Sequence, residues 1–317
     1  MRKIKENKVE KPAHSGWFSM VGYDFHENRE LYIMFLPVLL YFIVFKYLPM
    51  YGAVIAFKDF SPKLGILGSP WAGLKHFTTF LKSPSFMQLI VNTLRISITS
   101  IIFGFPAPII LALLVNELKL KKFSKVVQNI TYLPHFVSLV VICGMIRTFT
   151  MNTGVIGTIA GALGMEPKTL LNYPKYFVPV YVISGIWQSV GWDSIIYMAA
   201  LSGIDSQLYE AAMMDGAGRF KMVLHVTIPG IAPTIIIMLL LRMGGILGVG
   251  YEKIILLYND ITMEVADVIS TYVYRKGLID LNWSFSTAVG LLNSVINFVF
   301  LITANKISQR VNEISLW

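Results

Sequence analysis

Six long apolar segments constrain the fold of this chain more than any other feature. They are residues 31–57, 89–115, 126–149, 177–201, 231–249 and 285–304. Each is near the roughly 20 apolar residues that an α-helix needs to cross a bilayer. Barrel strands are about 10 residues long and alternate apolar with polar residues, and these segments do not. The sequence therefore predicts an all-α integral membrane protein with six transmembrane helices.

The composition agrees with a membrane protein. Hydrophobic residues make up 55% of the chain and charged residues 14%, whereas a soluble domain carries about 25% charged residues. The net charge of +9 would suggest a nucleic-acid partner for a soluble protein, but the apolar segments divide the basic residues into short groups. We expect no nucleic-acid partner. The single cysteine, Cys143, allows neither an intrachain disulfide nor a cysteine metal site.

Basic residues also indicate the orientation. With the N-terminus inside, the cytosolic segments contain 14 Lys and Arg and the outer loops contain nine, as the positive-inside rule favours. The first apolar segment begins only at residue 31, so no cleavable secretory signal is expected. The sequence thus predicts a basic cytosolic tail (1–30), a membrane domain (31–304) and a second cytosolic tail (305–317).

The segment 202–230, between the fourth and fifth spans, has the pattern of two short helices. Asp205 or Ser206 can cap the start of the first helix, and Gly216 can end it. A second short helix is expected to end at Pro229. The pattern predicts a helix–turn–helix on the cytosolic face that suits docking. The alternative is a plain amphipathic connector.

This segment resembles the EAA loop of the permeases of binding-protein-dependent ABC importers. Phe220 stands where that family usually has an aromatic residue, whereas Val223 is smaller than usual. The matching motif is Glu210-Ala211-Ala212-x-x-Asp215-Gly216-Ala217, followed by Pro229 and Pro233. Residues 202–230 are called the coupling loop below.

Shorter motifs resemble the polysaccharide and complex-oligosaccharide permeases within this family. They cover much of the chain after residue 31. They are Tyr51-Gly52, Ala56-Phe57-Lys58-Asp59-Phe60, Ser69-Pro70-Trp71, Gly73-Leu74, Ala266-Asp267-Val268-Ile269, Thr271-Tyr272-Val273-Tyr274-Arg275 and Thr287-Ala288-Val289-Gly290-Leu291.

The resemblance implies a transport subunit and no enzyme activity. The chain has no Gly-x-x-x-x-Gly-Lys-Ser/Thr phosphate loop, so ATP and Mg²⁺ are expected on a partner ATPase and no cofactor or metal on this chain. In the family the EAA helix enters a cleft of the ATPase. Glu210 would pair with a basic ATPase residue or cap the local backbone, and the alanines would allow close approach. The implied coupling residues are Glu210, Ala211, Ala212, Asp215, Gly216, Ala217, Phe220 and Pro229.

The resemblance also implies partners in a bacterial cell membrane. They are a second permease (a paralogue or a second copy), an ATPase dimer, an extracellular lipid-anchored solute-binding protein and a carbohydrate solute. The outer loop 250–284 could contact the binding protein or only cap the helix bundle.

Polar and aromatic residues inside the spans are candidates for the solute pathway, because such groups usually face a cavity or another helix. The alternative for each is helix packing, and Arg242 could instead pair with Asp193. The candidates are Trp187, Gln188, Trp192, Asp193, Tyr197, Arg242, Asn293 and Asn297.

Other function classes find less support in the sequence. A secondary transporter would need paired carboxylates or broken helices in two related halves, and Asp193 is the one clear intramembrane acid. A membrane enzyme would need a catalytic cluster, and a channel has no positive support. A permease for a non-sugar solute also stays open.

Overall fold

The computed structural model describes residues 24–25, 27–312 and 314–316. Most of the predicted basic tail, 1–30, therefore lies outside the described residues. Every element in the described part is helical, apart from an isolated antiparallel bridge between Lys58 and Trp71. The chain divides into two compact units, residues 1–54 and 55–317.

In the first unit, helix α1 (Arg29–Phe42) continues through a π-helical turn, Ile43–Tyr47, and a short helix, Leu48–Met50. None of the residues in these elements is buried. A 3₁₀ helix, Tyr51–Phe57, follows across the boundary between the units.

The second unit contains the remaining helices. The longer ones are α2 (Phe86–Gly104), α3 (Pro106–Asn116), α4 (Lys121–Tyr132), α5 (Leu139–Phe149), α6 (Val155–Ala162), α7 (Pro174–Ser202), α8 (Ser206–Met214), α9 (Ile228–Met243) and α10 (Trp283–Asn312). Shorter helices are Gly65–Gly68, Lys75–Leu81, Arg219–Met222, Tyr251–Leu257, Met263–Ala266 and Ile269–Tyr274, with 3₁₀ turns at Leu133–Phe136 and Leu170–Asn172 and π turns at Val223–Thr227 and Arg275–Ile279.

Four helical runs in the described part are long and apolar enough to cross a membrane. They are Arg29–Phe57, Phe86–Asn116, Arg219–Met243 and Trp283–Val311, which overlap the first, second, fifth and sixth predicted spans. The fourth predicted span lies inside α7, which has 29 residues but is less apolar than these four. The last helix also extends through much of the predicted C-terminal tail, to Asn312.

The prediction of an unbroken third span, 126–149, was wrong. Lys121–Phe136 and Leu139–Phe149 meet at an angle of 101°, and together they could form a fifth span. Ser138 is extended, and its hydroxyl accepts a hydrogen bond from the Val141 N–H at 3.4 Å. A serine in this conformation starts a new helix, so the chain turns here.

The prediction that Pro229 ends a short helix was also wrong. The helical run continues from Arg219 to Met243. The N–H of Ile228 donates to the carbonyl of Val223, five residues back, within the π turn that precedes Pro229. This wider turn accommodates the proline ring, which would clash in a regular α-helix and which has no N–H to donate.

Helix α7 is the central element of the second unit and packs against α2, α3, α4 and α9. It approaches α4 closely, since a Cβ on Gly191 would lie 2.2 Å from the carbonyl oxygen of Thr131. Phe177 of the same helix is fully buried beside Ile142 and Ile254. Small residues allow backbones to approach in this way in membrane helices.

Candidate functional site

The first helix of the coupling loop, α8, is capped at both ends. The Asp205 carboxylate accepts a hydrogen bond from the Gln207 N–H at 2.9 Å and caps the start of α8. At the other end Gly216 adopts a left-handed φ of +75°. The N–H groups of Gly216 and Ala217 donate to the carbonyls of Met213 and Ala212 at 3.0 and 2.9 Å. This is the glycine-dependent Schellman ending of a helix.

The coupling loop is fastened to the helices on either side of it. The hydroxyls of Tyr209 and Thr227 lie 3.1 Å apart, which ties α8 to the π turn before α9. Thr227 is buried. Ile204, just after α7, packs against Gly230, where an added Cβ would lie 2.9 Å from the Ile204 Cδ1. The loop is therefore held by both neighbouring helices.

The coupling loop exposes two large apolar side chains to solvent. Met214 is 88% exposed and Phe220 is 80% exposed. Glu210, Ala211 and Asp215 are also exposed, whereas Ala212 and Ala217 are half-buried. Exposed apolar side chains grouped with polar ones are typical of a protein contact surface.

The Glu210 carboxylate makes no hydrogen bond and no ion pair with any other described residue. The local backbone cap considered for it is thus absent from this part of the chain. Its side chain is exposed.

A cavity of about 480 Å³ lies between α2, α7, α9 and the segment 244–253. We call it the main cavity. Five glycines contribute to its wall: Gly104, Gly185, Gly245, Gly248 and Gly250. The polar side chains that line it are Ser97, Ser100, Tyr181, Gln188, Ser189, Arg242 and Lys253. Hydroxyls, an amide and two cations next to apolar walls can bind a polar solute.

Lys253 is the most constrained of these side chains. The residue is only 8% exposed. Its ammonium donates a hydrogen bond to the carbonyl of Tyr181 at 3.1 Å and lies 4.9 Å from the centre of the Tyr181 ring. Sequence reasoning missed this residue. The one available signal was a lysine at the start of the apolar stretch Ile254-Ile255-Leu256-Leu257.

Of the eight residues predicted for the pathway, Gln188 and Arg242 line the main cavity. Arg242 has no carboxylate within 4 Å among the described residues, so the suggested pair with Asp193 is not formed there. A pathway role for the others stays a prediction.

Two of the three aromatic candidates on α7, Trp192 and Tyr197, make packing contacts. The Trp192 ring stacks on His135 with centroids 4.6 Å apart and meets Phe136 edge-on. Tyr197 is buried with Ala112 and its neighbours in the core between α3, α7 and α9. Trp187 is exposed.

The two asparagines of α10 have different surroundings. The Asn297 side-chain oxygen accepts a hydrogen bond from the Leu247 N–H at 2.9 Å, which fixes the wall of the main cavity. Asn293 lines a second cavity of about 70 Å³, and its buried side-chain oxygen has no hydrogen-bond partner among the described residues.

The segment 250–284, predicted to be an outer loop, is held against α2. Asn92 donates to the carbonyls of Glu264 and Asp267 at 2.8 and 3.0 Å. Asp267 and Arg275 form a two-pronged ion pair, with N–O distances of 2.8 and 2.5 Å. Hydrogen bonding to this carboxylate raises the pKa of Arg275 above its usual value. These contacts hold the loop against the helices, and both alternatives, capping of the bundle and contact with a binding protein, stay predictions.

The described residues contain no group of three or more His, Cys, Asp or Glu side chains placed to hold a metal ion.

Comparison with known proteins agrees with this geometry. Residues 104–313 match the family described as "Binding-protein-dependent transport system inner membrane component". Protein LplB of Bacillus subtilis (strain 168) is 42% identical over 291 residues, which is 92% of each chain. The polygalacturonan/rhamnogalacturonan transport system permease protein YteP of the same organism is 42% identical over 288 residues, 90% of each chain.

A solved structure is also similar over nearly the whole fold. It is a bacterial ABC transporter involved in the import of the acidic polysaccharide alginate. The TM-score is 0.85 with 43% sequence identity, covering 92% of this chain and 99% of that chain. A bacterial alginate ABC transporter in complex with a periplasmic protein bound to an alginate pentasaccharide gives a TM-score of 0.85 at 42% identity, covering 93% of this chain and 99% of that chain.

The family match and the membrane-length helices define a multi-pass transport permease of the cell membrane. The chain belongs to the family of inner-membrane components of binding-protein-dependent transport systems. The predicted family is thereby confirmed. A secondary transporter, a membrane enzyme and a channel find no support in these relatives.

Proposed function

We propose that this chain forms half of the translocation pathway of an ATP-driven importer for an oligosaccharide or a polysaccharide fragment. The coupling loop carries the proposal, because it is fastened to α7 and α9 and leaves Met214 and Phe220 exposed. The relatives, which include polygalacturonan and alginate transporters, support a carbohydrate solute.

The proposed assembly has a second permease, two ATPase subunits that hold ATP and Mg²⁺, and an extracellular lipid-anchored solute-binding protein. ATP binding closes the ATPases and draws the coupling loops together, which switches the permeases from inward-facing to outward-facing. Solute drives such a shift only if its affinity differs between the two states. The alginate transporter in complex with its periplasmic protein supports the binding-protein partner.

The proposed topology has six spans with both termini in the cytosol. Helix α7 supplies the fourth span, and the bent pair α4 and α5 supplies the third. Polar residues on α7 are compatible with a span because α7 packs against four other helices, α2, α3, α4 and α9. This topology places the coupling loop, as a cytosolic EAA element, between the fourth and fifth spans.

Removal of the Glu210 carboxylate tests the proposal. In the assembly purified with its ATPase, Glu210→Ala is expected to lower ATPase retention and ATP-driven uptake, because an exposed acid at the contact is lost. Glu166→Ala is the matched control, since Glu166 is an exposed acid paired with Lys168 outside the coupling loop. It should leave both quantities unchanged.

Membrane insertion of both variants is measured by their yield in the membrane fraction. Full ATPase retention and full uptake by Glu210→Ala would contradict the docking role of the loop. Uptake of a non-sugar solute in place of oligosaccharides would leave docking intact and contradict the carbohydrate assignment.

A further inference from the structure

The main cavity contains two basic side chains and no acidic one. Arg242 and Lys253 line it together with uncharged polar groups. Neither cation forms an ion pair with a described residue. Glu252, which precedes Lys253 in the chain, is exposed and does not pair with it. Among the described residues, no acidic side chain pairs with the two positive charges of this cavity.

Burial makes the charge of Lys253 costly. An ammonium group has three N–H donors, and the described residues supply one carbonyl oxygen, that of Tyr181, and one aromatic face. Removing such a group from water without a counter-charge is unfavourable. Burial lowers the pKa of Lys253, which lies between the fifth and sixth spans, to about 8. A bound anion would favour the charged form.

The wall of the cavity also leaves room at this ammonium. An added Cβ on Gly185 would lie 3.3 Å from the Lys253 Nζ, which is closer than an ordinary contact. Glycine at this position on α7 therefore keeps one side of the ammonium accessible from the cavity that both residues line.

We propose that Lys253 and Arg242 form an anion-binding site in the main cavity, which selects an oligosaccharide that carries carboxylates, such as a uronic-acid oligomer. This inference rests on the proposed function. Lys253 provides a compact charge, and the Arg242 guanidinium can hold a carboxylate through two parallel hydrogen bonds. Gln188 and the cavity serines suit the sugar hydroxyls.

The test compares an acidic solute with its neutral counterpart. The importer is reconstituted in proteoliposomes with its partners, and ATP-driven uptake at pH 7 is measured for trigalacturonate, trimannuronate and the methyl ester of each. The esters keep the rings and the linkages and lose the charge. The wild type is expected to take up at least one acid in preference to its ester.

Lys253→Met is expected to lower uptake of that acid about tenfold, the effect of losing one charged hydrogen bond, and to leave uptake of the ester unchanged. Arg242→Gln is the second variant and should change the acid-to-ester ratio in the same direction. Lys168→Met is the control, because Lys168 is a half-exposed lysine paired with Glu166 outside the cavity. It should not change the ratio.

If Lys253 only holds residues 251–257 against α7, Lys253→Met should lower uptake of the acid and of the ester equally. That result overturns the proposal. Equal uptake of acids and esters by the wild type, or uptake of neither, overturns it as well. Stimulation of ATPase activity by the binding protein, measured in the same vesicles, distinguishes these results from failure of the importer function itself.

Discussion

At the scale of single residues, Gly216 shows how one backbone conformation shapes the coupling loop. Its φ of +75° lies in the left-handed region, where a side chain costs free energy. No atom would lie within 4 Å of an added Cβ there. Glycine is therefore required for its backbone conformation, and not because neighbouring atoms leave no room for a side chain. The turn directs the chain from α8 towards the helical run that begins at Arg219.

Gly216→Ala should therefore strain the turn by about 1 kcal/mol and lower the ATPase activity stimulated by the binding protein. Gly218→Ala is the matched control, because Gly218 has a φ of −72° and also has open space around its Cα. The measurement is the stimulated ATPase activity of the reconstituted assembly. Equal behaviour of the two variants would show that the left-handed conformation does not matter for coupling.

At the scale of secondary-structure elements, the contact of α4 with α7 depends on the absence of a side chain. The Cβ of any residue at position 191 would overlap the Thr131 carbonyl, 2.2 Å away. We expect Gly191→Ala to force the helices apart and to destabilise the protein by about 1–3 kcal/mol, the usual effect of overpacking.

Thermal denaturation in detergent measures this effect. Gly144→Ala in α5 is the control, because an added Cβ there meets no atom within 4 Å. An unchanged melting temperature for Gly191→Ala would mean that the two helices are not in close contact.

The elements also show which features the sequence could predict. Helix α8 and its turn depend on Asp205 and Gly216, whose effects act on residues within a few positions, and they form where the pattern indicates. The effect of Pro229 was misjudged because the preceding π turn changes the hydrogen-bond register. Lys253 was missed because the main cavity joins segments that are distant in sequence, and no local pattern reports such packing.

At the scale of the whole molecule, the six-span topology can be tested with thiol chemistry. Cys143 is 1% exposed and can be replaced by alanine to give a cysteine-free chain. Single cysteines then replace Lys168, in the proposed outer loop 150–176, and Met214 in the coupling loop. A thiol reagent that cannot cross the membrane should label Lys168→Cys in intact cells and Met214→Cys only after permeabilisation. Labelling of Met214→Cys in intact cells would contradict the proposed orientation.

The exposed side chains of Met214 and Phe220 should also affect how fast the protein is degraded in the cell. A copy made in excess of its partners would present these apolar groups to chaperones and proteases, which bind such surfaces. We therefore expect its abundance to follow the supply of the ATPase, so that synthesis of the subunits in matched amounts protects each copy from degradation.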